Sequence, residues 1–124
     1  MIHALQPDIL VTNRAARFVF RDQAGEPDPE LVGLVKGDFD TPEGRIGVFR
    51  CDRPWESCIT LGDSWKYVRN DPYKPAEDLI RMLIETAAKG GNLLLGVGPD
   101  PSGEIPEEAA RRLREIGAWL RTNG

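Results

Sequence analysis

From residue 75 onward the hydrophobic positions keep a helical rhythm. Ala76, Leu79, Ile80, Leu83, Ile84 and Ala87 recur at spacings of three and four, which makes one face of a helix apolar. Pro75 suits a first helical position, and Gly90-Gly91 ends the helix as C-terminal glycines do. Residues 92–97 (Asn-Leu-Leu-Leu-Gly-Val) then form a continuous apolar run, the signature of a strand buried on both faces of a parallel sheet. A turn-rich stretch, Gly98-Pro99-Asp100-Pro101-Ser102-Gly103, leads to a second helix opened by Pro106-Glu107-Glu108. Its stripe is Ala109, Leu113, Ile116 and Leu120, and Asn123-Gly124 closes it.

The first half is patterned differently. Residues 9–13 (Ile-Leu-Val-Thr-Asn) read as a short buried strand, and 57–61 (Ser-Cys-Ile-Thr-Leu) as another, ended by Gly62-Asp63. Between them, residues 14–54 are polar and broken by glycine and proline, so they read as a long irregular segment of the kind that is functional or disordered. The order strand, long loop, strand, helix, strand, helix predicts a parallel α/β fold, whose loops after the strands carry the chemistry.

Composition narrows the function. The 124 residues suffice for one ordinary domain, and a net charge of -4 without a basic block argues against nucleic acid as partner. No apolar run approaches the roughly 18 residues needed to cross a membrane. The first eight residues lack the basic start and apolar centre of a secretion signal. With only His3, Cys51 and Cys58 there is no zinc-ligand pattern, no disulfide framework and no histidine-based triad, so no metal or other cofactor is expected.

The conspicuous chemistry is acidic. Gly37-Asp38-Phe39-Asp40-Thr41-Pro42-Glu43-Gly44 is followed by Arg53-Pro54-Trp55-Glu56-Ser57-Cys58, which places Asp38, Asp40, Glu43 and Glu56 near arginines and an indole. Carboxylates flanking a sugar bond are what glycoside hydrolysis requires, one protonating the departing oxygen and the other attacking or activating water. Trp55 could stack on the sugar, or it could plug the core beneath a merely solvated acidic loop. Arg14 follows the first strand, where a parallel barrel presents substrate-binding groups. Trp65 and Tyr67 follow the second strand, as a sugar platform or as a core lid. Gly96-Val97-Gly98-Pro99 fits no nucleotide-binding fingerprint well.

Several strings occur in order: Leu5-Gln6-Pro7-Asp8-Ile9, Asn13-Arg14, Gly37-Asp38-Phe39 with Thr41-Pro42-Glu43, Pro54-Trp55-Glu56-Ser57-Cys58 and Ser64-Trp65-Lys66-Tyr67. Tyr73-Lys74, Gly90-Gly91-Asn92-Leu93-Leu94-Leu95, Val97-Gly98-Pro99, Gly103-Glu104-Ile105-Pro106 and Ile116-Gly117-Ala118-Trp119-Leu120 complete the series. Together they resemble the α-L-fucosidases of glycoside hydrolase family 29, in the second half of the catalytic barrel. The resemblance implies a retaining exo-glycosidase that removes terminal α-L-fucose from oligosaccharides or glycoconjugates. It implies Glu43 as acid/base, with Glu56 as the competing candidate, Arg14 near the sugar ring oxygen, and Trp65 against the fucose methyl group. Lys66 and Gly96 depart from the family's usual glycine and asparagine at those places.

The expected architecture is therefore α/β: the C-terminal half of a (β/α)8 TIM-like barrel, incomplete as an isolated chain. The family's nucleophile, an Asp on an earlier strand, has no counterpart here. The chain is thus expected to be inactive alone, to need the N-terminal half of the barrel, and to take a fucosylated glycan as substrate. A fucose-binding remnant without catalysis and a partner-binding module are the other function classes. They differ in whether Glu43 matters and whether sugar matters at all.

Overall fold

The computed structural model describes residues 2–14 and 37–124. A short helix α1 (Ile2–Leu5) leads in, followed by strand β1 (Glu56–Thr60), helix α2 (Ala76–Ala88), strand β2 (Asn92–Gly96) and helix α3 (Glu107–Asn123). β1 and β2 pair in parallel, Glu56 opposite Asn92 and Thr60 opposite Gly96. Parallel neighbours need a crossover, and α2 supplies it. Among the described residues no helix is long and apolar enough to cross a membrane.

Both prolines expected at first helical positions sit one residue earlier. Pro75 has φ −56° and ψ 145°, so its ring-fixed φ suits the helix while its ψ is still extended. Its carbonyl accepts the N–H groups of Asp78 and Leu79 at 3.1 and 3.2 Å, and Pro106 serves Ala110 in the same way at 2.9 Å. At the other end of α2, Gly90 turns the chain at φ +78°, and the Gly91 N–H returns to the Thr86 carbonyl at 3.0 Å.

The helices cover one face of the strand pair. Leu61, Leu79 and Ala109 are buried there, with Tyr73, Leu95, Val97 and Ile116 packed around them. Burying a leucine contributes about 2 kcal/mol, so this cluster is what binds the α2 and α3 stripes to the sheet.

The first half differs from expectation. Within 9–13 no regular strand forms: Ile9 and Leu10 are 42% and 74% exposed, and only Thr12 bridges, to Phe39. Residues 15–36 of the expected irregular segment lie outside the described residues. Residues 38–43, expected to be irregular, are instead extended and run parallel to β1. Asp40 donates to the Pro54 carbonyl at 3.1 Å and accepts from Glu56 at 2.9 Å, and Pro42 accepts from Cys58 at 3.0 Å. Proline lacks an N–H, but this position of the ladder uses only its carbonyl.

Trp55 locks this pairing. It is 2% exposed, and its indole lies between two glycines. A β-carbon built on Gly91 would stand 2.3 Å from the ring, and one on Gly47 2.7 Å. Neither glycine has the positive φ that forces glycine elsewhere, so it is the indole that excludes a side chain. Gly91→Ala is therefore expected to destabilise the fold by about 1–3 kcal/mol through overpacking, read as a lower urea midpoint with a red-shifted tryptophan emission. An unchanged midpoint would mean that the indole is not wedged.

Candidate active site

Side chains of an extended segment alternate between faces, and bridged partners point the same way. Asp40 is level with Trp55 and Glu43 with Cys58, while β1 and β2 set Cys58 level with Leu94. Glu43, Cys58 and Leu94 consequently make one row across the face turned away from the helices. The same offset puts Thr41, Glu56 and Asn92 in the row below. Thr12 bridging Phe39 brings Arg14 level with Thr41. The opposite face carries Trp55, Ser57, Ile59 and Leu61, directed at the core.

Arg14 and Glu43, each late in its own extended segment and level with Glu56 and Cys58 of β1, meet Nη1 to Oε2 at 2.8 Å. The guanidinium also donates from Nε to the Thr41 hydroxyl at 2.8 Å and from Nη2 to the Thr41 carbonyl at 3.4 Å. The arginine and glutamate side chains are 32% and 48% exposed, so the pair adds less than about 1 kcal/mol to stability. Its significance is orientation.

The other acids of the segment are engaged elsewhere. Asp40 is ion-paired with Arg50 at 2.7 Å and Arg53 at 3.2 Å, and Asp38 accepts the Val11 N–H at 2.7 Å. A cavity of about 400 Å³ opens on the Asp40 and Trp55 side, walled also by Arg45 and Arg50. Its one acid is held by two arginines, whereas Glu43 has the single partner Arg14. Glu56 shares Glu43's face but stands at the amino end of β1, and no ion pair holds it among the described residues. Between the two glutamates lies the Cys58 thiol. Burial pushes its pKa up, Arg14 lowers it, and Glu56 and Glu43 raise it further.

Trp65 approaches from the loop after β1. That loop is tied down by Lys74, whose Nζ donates to the Thr60 and Gly62 carbonyls, both at 2.8 Å. Asp71 accepts the N–H groups of Asp63 at 3.1 Å and Ser64 at 3.3 Å, so the tryptophan is delivered by a braced turn. Its ring lies over Gly96, where a β-carbon would be 3.1 Å away, and it remains 50% exposed. A β-carbon on Gly98 would likewise stand 2.5 Å from the Tyr67 nitrogen. Both glycines make room for the loop after β1.

Of the residues nominated from sequence, Arg14 and Glu43 touch, Glu56 shares their face, and Trp65 lies at the carboxyl end of the same sheet. Trp55 does not belong with them. Nominated as a sugar-binding aromatic with a core plug as its alternative, it is buried on the opposite side as a plug, because it precedes Glu56 in an extended segment and adjacent residues point apart. Thr41, Asn13, Asp71 and Lys74 received no individual role from sequence. Only the adjacency of the first two to Arg14 and Glu43 in the motifs hinted at one. Among the described residues no group of three or more His, Cys, Asp or Glu side chains is placed to hold a metal ion.

Comparison with known proteins identifies the family. The profile of the Alpha-L-fucosidase family matches residues 5–124. Plasma alpha-L-fucosidase of Rattus norvegicus is 43% identical over 74 residues, which take in 56% of this chain and 16% of that protein. Among solved structures, alpha-L-fucosidase isoenzyme 1 from Paenibacillus thiaminolyticus superposes with a TM-score of 0.77 at 39% identity, covering 100% of this chain and 29% of that one. The Thermotoga maritima alpha-fucosidase in complex with fucose gives 0.66 at 31% identity, over 96% of this chain and 23% of that one. The 124 residues thus span under a third of these relatives. A profile match along nearly the whole sequence makes this chain a member of the alpha-L-fucosidase family.

Proposed function

We propose that these 124 residues form the later strands of a (β/α)8 barrel and one wall of an α-L-fucosidase active site. The observation that carries the reading is the Arg14–Glu43 pair, formed at the carboxyl ends of two adjacent parallel segments, where parallel α/β barrels place their chemistry. Glu43 is the acid/base: it protonates the oxygen leaving fucose, then takes a proton from the water that releases the sugar. Arg14 contacts the sugar near its ring oxygen, and Trp65 packs on the fucose methyl. Glu56, held by no ion pair among the described residues, is the competing claimant to the acid/base role.

A retaining mechanism needs a second carboxylate about 5–5.5 Å from the first, as nucleophile. Asp38 and Asp40 do not supply it, since both are engaged in holding the 11–13 and 37–53 segments together. The nucleophile comes from an earlier strand of the barrel, in the same or a separate polypeptide. That polypeptide also pairs with the free side of β2 and covers Leu94, which is 48% exposed here.

Two predictions follow from these assignments. The chain by itself should not release aryl alcohol from an aryl α-L-fucoside, and addition of a polypeptide carrying the earlier barrel strands should restore release. In that complex Glu43→Gln should lower turnover about 100-fold or more for a poor leaving group. The loss should be much smaller for a dinitrophenyl fucoside, whose departure needs no proton. A larger leaving-group-dependent loss in Glu56→Gln would transfer the role to Glu56. Fucose binding by the complex without any turnover would point to a binding remnant.

A separate test concerns Trp65. Trp65→Ala should raise KM about 4-fold with little change in kcat, the worth of one buried methyl contact at about 0.8 kcal/mol. A KM equal to that of the parent would detach Trp65 from the sugar.

A further inference from the structure

The geometry points to Asn13 and Thr41 as positioning residues that aim Arg14 at Glu43, through a chain of hydrogen bonds whose direction is imposed from Asp40. The chain's existence is independent of the enzyme's chemistry, whereas its consequence for turnover rests on the fucosidase reading of Glu43.

The direction follows from which groups can only accept and which can only donate. Asp40, set between Arg50 and Arg53, presents a carboxylate that only accepts. Asn13 Nδ2 donates to its Oδ1 at 3.1 Å. The reversed amide would put oxygen against oxygen there, so Asn13 Oδ1 is left facing Thr41. The Thr41 hydroxyl donates its single proton to that oxygen at 2.9 Å. With its proton committed, the hydroxyl turns a lone pair to Arg14, and Arg14 Nε donates to it at 2.8 Å.

A guanidinium is planar, so fixing Nε fixes the whole fork. Nη2 comes to lie near the Thr41 carbonyl at 3.4 Å, and Nη1 is left to meet Glu43 at 2.8 Å. Two side chains, Asn13 and Thr41, therefore translate the charge of Asp40 into the aim of one arginine. The arrangement is built on the backbone pairing, because the Thr12–Phe39 bridge sets Arg14 level with Thr41. Thr41 itself is 5% exposed, which keeps water from competing for its hydroxyl.

Thr41→Val keeps the shape and removes both hydrogen bonds. Thr41→Ser restores the hydroxyl. Asn13→Ala leaves Thr41 and Arg14 untouched but frees the hydroxyl to turn. In the 15N-labelled chain, the Arg14 Nε–H resonance should exchange with water slowly in the parent and in Thr41→Ser. It should exchange about 10-fold or more faster in Thr41→Val and in Asn13→Ala, the second variant guarding against a folding failure of the first. In the complemented enzyme Thr41→Val should lower kcat about 10- to 100-fold with a smaller change in KM, as a misaimed group does, and Thr41→Ser should recover most of it. Equal Nε–H protection in all four proteins, or parental turnover in Thr41→Val, would overturn the assignment. If Nε–H protection is lost as expected but Glu43→Gln keeps parental turnover, the hydrogen-bond chain stands and it is the catalytic reading of Glu43 that fails.

Discussion

Glu43 points where it does because of how the backbone of residues 38–44 is hydrogen-bonded to β1. The pairing is fixed by bonds from Asp40 to Pro54, Glu56 to Asp40, Cys58 to Pro42 and Gly44 to Cys58, at 2.9–3.1 Å. A slip of one residue would turn Glu43 toward the helices and bring Pro42 to the open face. Arg14 would then lose its acidic partner, and Asp40 would no longer lie beside Asn13. The site depends on a register before it depends on any side chain.

That register is protected from the other face. Trp55 fills the space between Gly47 and Gly91, so sliding the chain would drive the indole into backbone. The Ser57 hydroxyl accepts the Gly47 N–H at 3.1 Å, and Arg50 holds Asp40. The buried tryptophan therefore serves the site from behind. It sits next to Glu56 in sequence, yet its contribution is to hold the strand bearing Glu56 and Cys58 at a fixed height against 38–43.

Much of the second half was legible in the sequence. The helical spacing of Leu79, Leu83 and Ile116, the apolar run at 92–97 and the glycines at 90 and 91 each have one reading, since packing and propensity agree there. The extended stretch 38–43 was not legible, because Asp, Thr, Pro and Glu have low or neutral strand preference and their pairing is imposed by neighbours. Motifs nominated Arg14, Glu43 and Trp65, but the face each occupies follows from pairings of residues about 15 and 27 positions apart, which no local pattern encodes. Trp55 kept two readings, sugar stack and core plug, for the same reason; alternation along an extended chain sends it to the side opposite Glu56, where it plugs the core.

The composition of the open face carries the argument one step further. A core-facing row would be apolar, and a solvent-facing row would be polar throughout. The row of Glu43, Cys58 and Leu94 is neither, and the row of Glu56 and Asn92 sets a carboxylate and an amide beside it. Leu94 stays 48% exposed while Cys58, next to it, is buried. Such mixing lowers the gain from packing and persists where a surface must meet something both polar and apolar. A deoxy sugar is such a ligand, with hydroxyl groups on its ring and a methyl group at one end. On the proposed reading, Arg14 and Glu43 meet the first and the Trp65 ring over Gly96 meets the second.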